Sequence, residues 1–123
     1  MIDHVALKVT PVQAEACAGF YELLGFARVE PPAGLGARAI WLTRGGTTVH
    51  LLHTRDDGVA SDSSEPGGGH FAVVVDQYDA TLGALAAAGV AIDQRTPHWG
   101  SPRSYVLDPA GNKVELMAFA PGA

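Results

Sequence analysis

Cysteine is almost absent. The single residue, Cys17, excludes a disulfide framework within the chain and any zinc site built from thiolates. Positive charge is also scarce. Eight Lys and Arg stand against 13 Asp and Glu, for a net charge of −5, and they are scattered rather than gathered in a stripe. Nucleic acid and anionic membrane surfaces are therefore poor partners. No apolar run approaches the ~20 residues that span a bilayer. The start, Met1-Ile2-Asp3-His4, has neither the basic region nor the long apolar stretch of a signal peptide. The expectation is a cytoplasmic protein. Charged residues are only 17% and apolar ones 47%, so a chain of 123 residues can bury a proper core and is not disordered. What the sequence does have is histidine, five in so short a chain.

It also has an internal repeat. Residues 39–52 lie over residues 104–117 at a constant offset of 65, with Leu42 over Leu107, Gly46 over Gly111, Val49 over Val114 and Leu51 over Leu116. Arg38 falls over Arg103 at the same offset. Gly25-Phe26 falls over Gly89-Val90 at 64, and His4-Val5-Ala6-Leu7 over His70-Phe71-Ala72-Val73 at 66. Drifts of one residue fit loop insertions.

Each copy carries the same punctuation. A strand comes first, over 3–9 and again over 69–75. Val5, Leu7 and Val9 share one face, and His4, Ala6 and Lys8 the other. Phe71, Val73 and Val75 likewise oppose His70, Ala72 and Val74. A helix follows. In copy one, Thr10 caps it, Pro11 takes the first helical position, Ala16, Phe20, Leu23 and Leu24 form its apolar stripe, and Gly25 stops it. In copy two, Asp76 or Asp79 caps it, Tyr78, Leu82, Leu85 and Ala86 form the stripe, and Gly89 stops it. Three short strands complete each copy, over 27–29, 37–42 and 47–53, then 91–94, 104–107 and 113–119. Hairpin turns fall at Arg44-Gly45-Gly46 and at Asp108-Pro109-Ala110-Gly111-Asn112. The fold class is α+β, with the unit βαβββ used twice: module 1 over 1–54 and module 2 over 69–120. Between them lies a polar, acidic, Gly-rich segment, 55–68. A segment that long is either functional or a flexible linker.

The repeat sets four metal-capable residues at equivalent points. His4 and His70 stand near the starts of the two first strands, His50 and Glu115 near the middle of the two last. If both copies fold alike, all four lie on one sheet face, beside small Ala6 and Ala72. Three imidazoles and one carboxylate suit one first-row divalent ion. Without His50, two His and one carboxylate remain, the set of non-haem Fe(II) oxygenases. A lone strand histidine is ordinarily a surface or satisfied residue. Four at symmetric positions are not ordinary. His53 is the control: three residues after His50, it faces the other way and is expected at the surface. His98, in Pro97-His98-Trp99-Gly100, is expected in a loop.

Four segments carry a family resemblance: Ile2-Asp3-His4-Val5-Ala6-Leu7, Phe20-Tyr21-Glu22-Leu23-Leu24-Gly25-Phe26, Gly69-His70-Phe71-Ala72-Val73, and Asp108-Pro109-Ala110-Gly111-Asn112-Lys113-Val114-Glu115-Leu116. With the repeat, the chain resembles the vicinal oxygen chelate superfamily along nearly its whole length. That superfamily includes glyoxalase I, methylmalonyl-CoA epimerase, extradiol dioxygenases, and fosfomycin and bleomycin resistance proteins. The resemblance implies paired modules whose mixed sheets curl into an open cup around a divalent metal (Ni, Zn, Co, Mn or Fe). His4, His70 and Glu115 match the family's ligands on the first, fifth and eighth strands, and His50 the fourth-strand position. Glyoxalase I usually has Glu or Gln there. His in its place leaves the site more positive and removes a carboxylate that could act as base, so His50 stays open as ligand or base. Relatives of this size commonly form homodimers, with the site within one chain or shared.

Arg38 and Arg103 are candidate substrate anchors, since a guanidinium fork holds carboxylate or phosphate. Surface ion pairing is the ordinary alternative. Trp99 and Tyr105 are candidate pocket walls, and Trp41 either a wall or core. Cys17 is expected in the packing of the first helix. Lys8 and Lys113 share the ligand-bearing faces. Gly34-Leu35-Gly36-Ala37-Arg38-Ala39 matches a dinucleotide fingerprint, but it follows two prolines and leads into a strand, which excludes that reading.

These readings converge on a metal-dependent enzyme with isomerase or lyase chemistry on a small carbonyl or hydroxy compound chelated through two adjacent oxygens. Glu115 is the only carboxylate of the set, and so both ligand and candidate catalytic base. An extradiol-type dioxygenase, a fosfomycin-type transferase and a metal-free ligand-binding protein of the bleomycin-resistance kind are the alternatives.

Overall fold

The computed structural model describes residues 1–36, 38–54 and 69–122. The segment 55–68 assigned to the linker lies outside the described residues, as does Ala37. The chain divides into two compact units, Met1–Ala60 and Ser61–Ala123.

In the first unit the order is β1 (His4–Val9), α1 (Ala14–Leu23), β2 (Ala27–Val29), β3 (Ala39–Arg44) and β4 (Thr47–His53). The sheet runs β1-β4-β3-β2, with β1 parallel to β4 and the other pairs antiparallel. A parallel pair needs a crossover, and α1 supplies it. The alternation of β1 is as expected: Val9 is fully buried, with Leu42, Val49 and Leu51, while His4, Ala6 and Lys8 are exposed. Helix α1 packs on β2, β3 and β4.

Thr10 is not the N-cap of α1, nor Pro11 its first residue, since the N-cap is Gln13. Thr10 Oγ1 accepts the Gln13 N–H at 3.3 Å, and its own N–H donates to Gln13 Oε1 at 3.3 Å. This reciprocal bonding closes a turn over Pro11 and Val12, and the helix proper starts later, at Ala14. The apolar stripe is correspondingly rotated. Ala14, Cys17, Ala18, Phe20 and Tyr21 are buried, whereas Ala16 and Leu23 face outward. Arg28 ties β2 to α1 through Glu15 at 2.7 Å. The hydrogen bonds and positive charge of Arg28 hold the Glu15 carboxyl below its ordinary pKa.

The second unit repeats the plan: β5 (Phe71–Val74), α2 (Tyr78–Ala87), β6 (Asp93–His98), β7 (Ser101–Leu107) and β8 (Lys113–Met117), in the order β5-β8-β7-β6. Neither aspartate takes the N-cap of α2. That position is Gln77, and Asp79 falls in the first turn. Only Leu85 of α2 is buried, and Ala86 is exposed, so the expected stripe narrows to one residue. The Tyr78 hydroxyl fastens the helix to β7 by a 2.6 Å hydrogen bond with Ser104 Oγ. Among the described residues no helix is long and apolar enough to cross a membrane.

Both helices stop as expected. Gly25 and Gly89 adopt φ of 96° and 88°. The following N–H groups of Phe26 and Val90 return to Tyr21 and Leu85 carbonyls at 3.1 and 3.0 Å. Only β2 and β4 keep both expected bounds. β1 and β5 are shorter than expected, β3 is shifted to Ala39–Arg44, β7 starts early at Ser101, and β8 ends early at Met117. β6 is shifted to Asp93–His98, which makes His98 a strand residue. The cause is a two-residue hairpin at Trp99 and Gly100, with φ of 40° and 80°, that pairs His98 with Ser101.

The constant offset of 65 also needs correction. In the first unit Trp41 pairs with His50, and in the second Tyr105 pairs with Glu115. β4 and β8 keep the 65-residue offset, but β3 and β7 stand 64 apart. Leu42 thus corresponds to Val106, both buried, and not to Leu107, which is 46% exposed. Arg103 corresponds to Ala39, not Arg38. The slip arises in the hairpins: the paired Thr43 and Thr48 enclose four residues, the corresponding Leu107 and Lys113 five.

Candidate functional site

The face of each sheet that bears the predicted ligands holds one pair of them. In the first unit, Ala6 and Trp41 both pair with His50, so the three share a face with His4. The His50 ring lies between two others. Trp41 stacks on it with centroids 3.8 Å apart and planes 5° from parallel. His4 stacks at 4.2 Å and 10°. His4 Nδ1–H donates to Asp3 Oδ2 at 2.8 Å, which leaves Nε2 as the lone-pair nitrogen. Burial lowers the pKa of His50, and the charge of neighbouring His4 acts in the same direction, against a smaller opposing pull from Asp3. A neutral imidazole is the metal-binding form.

In the second unit, Ala72 and Tyr105 flank Glu115. His70 sits just before β5, and its Nε2 lies 3.1 Å from Glu115 Oε1. The other carboxylate oxygen accepts from Arg103 Nη1 at 3.4 Å. Arg103 Nε in turn donates to the Thr96 carbonyl at 2.8 Å. The Tyr105 ring meets His70 edge-on at 5.1 Å. The Glu115 side chain is only 10% exposed.

The remaining predicted residues divide. Arg103 and Tyr105 join this network. Arg38 is exposed and has no register match to Arg103. Trp99 is 51% exposed at the hairpin tip, its indole Nε1–H bonded to the Phe119 carbonyl at 3.0 Å. His53 lies on the opposite face from His50, as expected, but it is half-buried rather than at the surface. Its Nε2 is buried without a hydrogen-bond partner among the described residues. Sequence reading missed Asp3, signalled only by adjacency to His4, and it named Trp41 as wall or core without the stacking on His50, which depends on register.

The donor chemistry fits a divalent ion pair by pair. His70 Nε2 and Glu115 Oε1, now 3.1 Å apart as a hydrogen-bonded ion pair, are both donor types that serve a divalent ion. A carboxylate on the far nitrogen of a ligating histidine, as Asp3 on His4, is the usual outer support. Among the described residues no three His, Cys, Asp or Glu side chains are gathered in one group able to hold an ion.

Sheets of this order, with a histidine–carboxylate pair on one face, define a class. A family model for the Glyoxalase/Bleomycin resistance protein/Dioxygenase superfamily matches residues 1–116, and the chain belongs to that superfamily. No curated protein matches the sequence. Among solved structures, a glyoxalase family protein from Bacillus anthracis is similar over 95% of this chain and 93% of its own, at 25% identity and a TM-score of 0.77. Lactoylglutathione lyase from Agrobacterium tumefaciens is similar over 95% and 92%, at 23% identity and a TM-score of 0.67. TnmS3, an antibiotic binding protein from Streptomyces sp. CB03234, is similar over 95% and 93%, at 21% identity and a TM-score of 0.68. The last two likenesses speak for the fold alone.

Proposed function

We propose that the chain is a divalent-metal-dependent enzyme of this superfamily. It acts on a small carbonyl or hydroxy compound with two adjacent oxygens, by isomerase or lyase chemistry. The observation that carries the reading is the 3.1 Å pair of His70 Nε2 and Glu115 Oε1 on one face of the second sheet. His4 and His50 are the further donors of the proposed set. A bound ion would act as Lewis acid toward substrate oxygens.

The chain's own residues have definable tasks. Glu115 is the carboxylate placed to take a proton at Oε1 or Oε2. Arg103 is a positioning residue, because it grips Glu115 Oε2 while its own Nε is fixed on the Thr96 carbonyl. Tyr105 walls the pair and restricts the tilt of the His70 ring.

Metal analysis of protein purified without chelator, beside His70→Ala, tests this. The expected result is about one ion per chain, lost in the variant. Ni, Zn or Co fits isomerase or lyase chemistry, Fe(II) a dioxygenase, and Mn a transferase. No metal after reconstitution with each ion would overturn the proposal.

One specific observation favours a second reading, a metal-free binder of small molecules. Glu115 is already ion-paired to Arg103, and His50 is already sandwiched between Trp41 and His4. The antibiotic binding relative has this fold. The same metal analysis separates the two readings.

A further inference from the structure

Tyr105 gathers cations. Lys113 Nζ lies 4.3 Å from its ring centroid, the Arg95 guanidinium 5.3 Å and the Arg103 guanidinium 5.7 Å. Register explains the gathering, since Arg95 pairs with Arg103 on the adjacent strand, and Tyr105 and Lys113 continue the same face. The ring's negative face attracts each of them, which offsets part of their mutual repulsion. In a chain with only eight Lys and Arg and a net charge of −5, three on one ring is a local reversal of sign. Two carboxylates stand among them: Glu115, which holds Arg103, and Asp93, which holds Arg95 Nη2 at 2.8 Å.

Arg95 differs from Arg103 in how it is held. Arg103 bonds to two elements and its side chain is 12% exposed. Arg95 bonds to Asp93 on its own strand, and its side chain is 32% exposed. Its Nε is buried with no acceptor among the described residues. That buried N–H is out of a ligand's direct reach, so the part of Arg95 able to meet a ligand is the remainder of its 32% exposed side chain.

We propose that the face around Tyr105 is an oxyanion subsite, in which Arg95 is the accessible arm that takes the carboxylate or phosphoryl group of a small molecule. The inference names the substrate class for the enzyme proposed above and rests on that reading only for the word substrate. Anion binding needs no metal and is measured with and without chelator, so either reading can fail while the other stands.

The test is a backbone amide NMR titration of the full chain with phenylphosphonate and with benzoate, each beside its neutral ester. One anion or both should shift the signals of Arg95, Tyr105 and Lys113, weakening as salt is raised, while the esters leave them unmoved. The stronger of the two decides between phosphoryl and carboxylate. Arg95→Gln should weaken binding about tenfold, with Arg38→Gln as the unaffected control. Arg95 is half-exposed, so its variant should keep the fold, checked by its own amide spectrum. Lys113→Met is the second variant and is expected to weaken binding likewise. Equal shifts with the neutral esters, shifts that map elsewhere, or unchanged affinity in Arg95→Gln would overturn the proposal.

Discussion

At the scale of single residues, the most informative contact is one of the most exposed. Asp3 is an acidic side chain on the surface, and such a group ordinarily contributes little. Its 2.8 Å bond to His4 Nδ1 changes what it does, because it fixes the tautomer and turns Nε2 outward as the free donor. Asp3→Asn keeps the size, but its side chain need no longer accept from Nδ1–H. Metal affinity is therefore expected to fall roughly tenfold to a hundredfold, with thermal stability in chelator unchanged. Isothermal titration with the ion identified by metal analysis measures it. Unchanged affinity would show that His4 needs no such support. His50 is constrained differently, by ring faces rather than a hydrogen bond. Trp41 and His4 cover both sides of the imidazole and leave only its edges open.

At the scale of elements, the two helices end identically but are buried unequally. Gly25 and Gly89 both occupy the left-handed region, where any side chain costs about 1–2 kcal/mol. Their surroundings differ. A Cβ on Gly25 would stand 3.3 Å from Arg44 Nε, whereas one on Gly89 meets nothing within 4 Å. Gly89→Ala should therefore cost about 1 kcal/mol and Gly25→Ala more, as read from urea denaturation midpoints. Equal losses would mean that Arg44 moves aside freely. Much at this scale was legible in the sequence. The bounds of β2 and β4, the faces of β1 and the glycine stops follow from alternation and turn chemistry, which are local. What was illegible is register. Leu42 and Leu107 match as letters, yet the longer Asp108–Asn112 turn slips the strand by one residue, and one residue reverses a side chain's face. The same slip undid the symmetry between Arg38 and Arg103. It also hid the link from Arg103 to Glu115, since no local pattern says which residue lies opposite which. The four proposed donors were readable because three lie on first or last strands and His70 directly precedes one, where the offsets of 66 and 65 hold.

At the scale of the whole molecule, two units of similar plan carry unlike halves of a proposed donor set. Imidazole pairs belong to the first, an imidazole and a carboxylate to the second. An ion bound by the folded chain alone raises stability by about 2.7 kcal/mol at a free concentration one hundred times its dissociation constant. Which unit gains is the discriminating question, and the chain has one tryptophan in each, Trp41 and Trp99. Trp99→Phe leaves the first unit with the only indole, Trp41→Phe the second. If one ion draws on His4 and His50 as well as His70 and Glu115, both reporters should show the same rise in Tm on adding metal. Chelator should abolish both rises, and His70→Ala should do so too, although that substitution lies in only one unit. A rise confined to Trp99 fluorescence would assign the ion to His70 and Glu115 alone. His4 and His50 would then be left to the ring stack with Trp41.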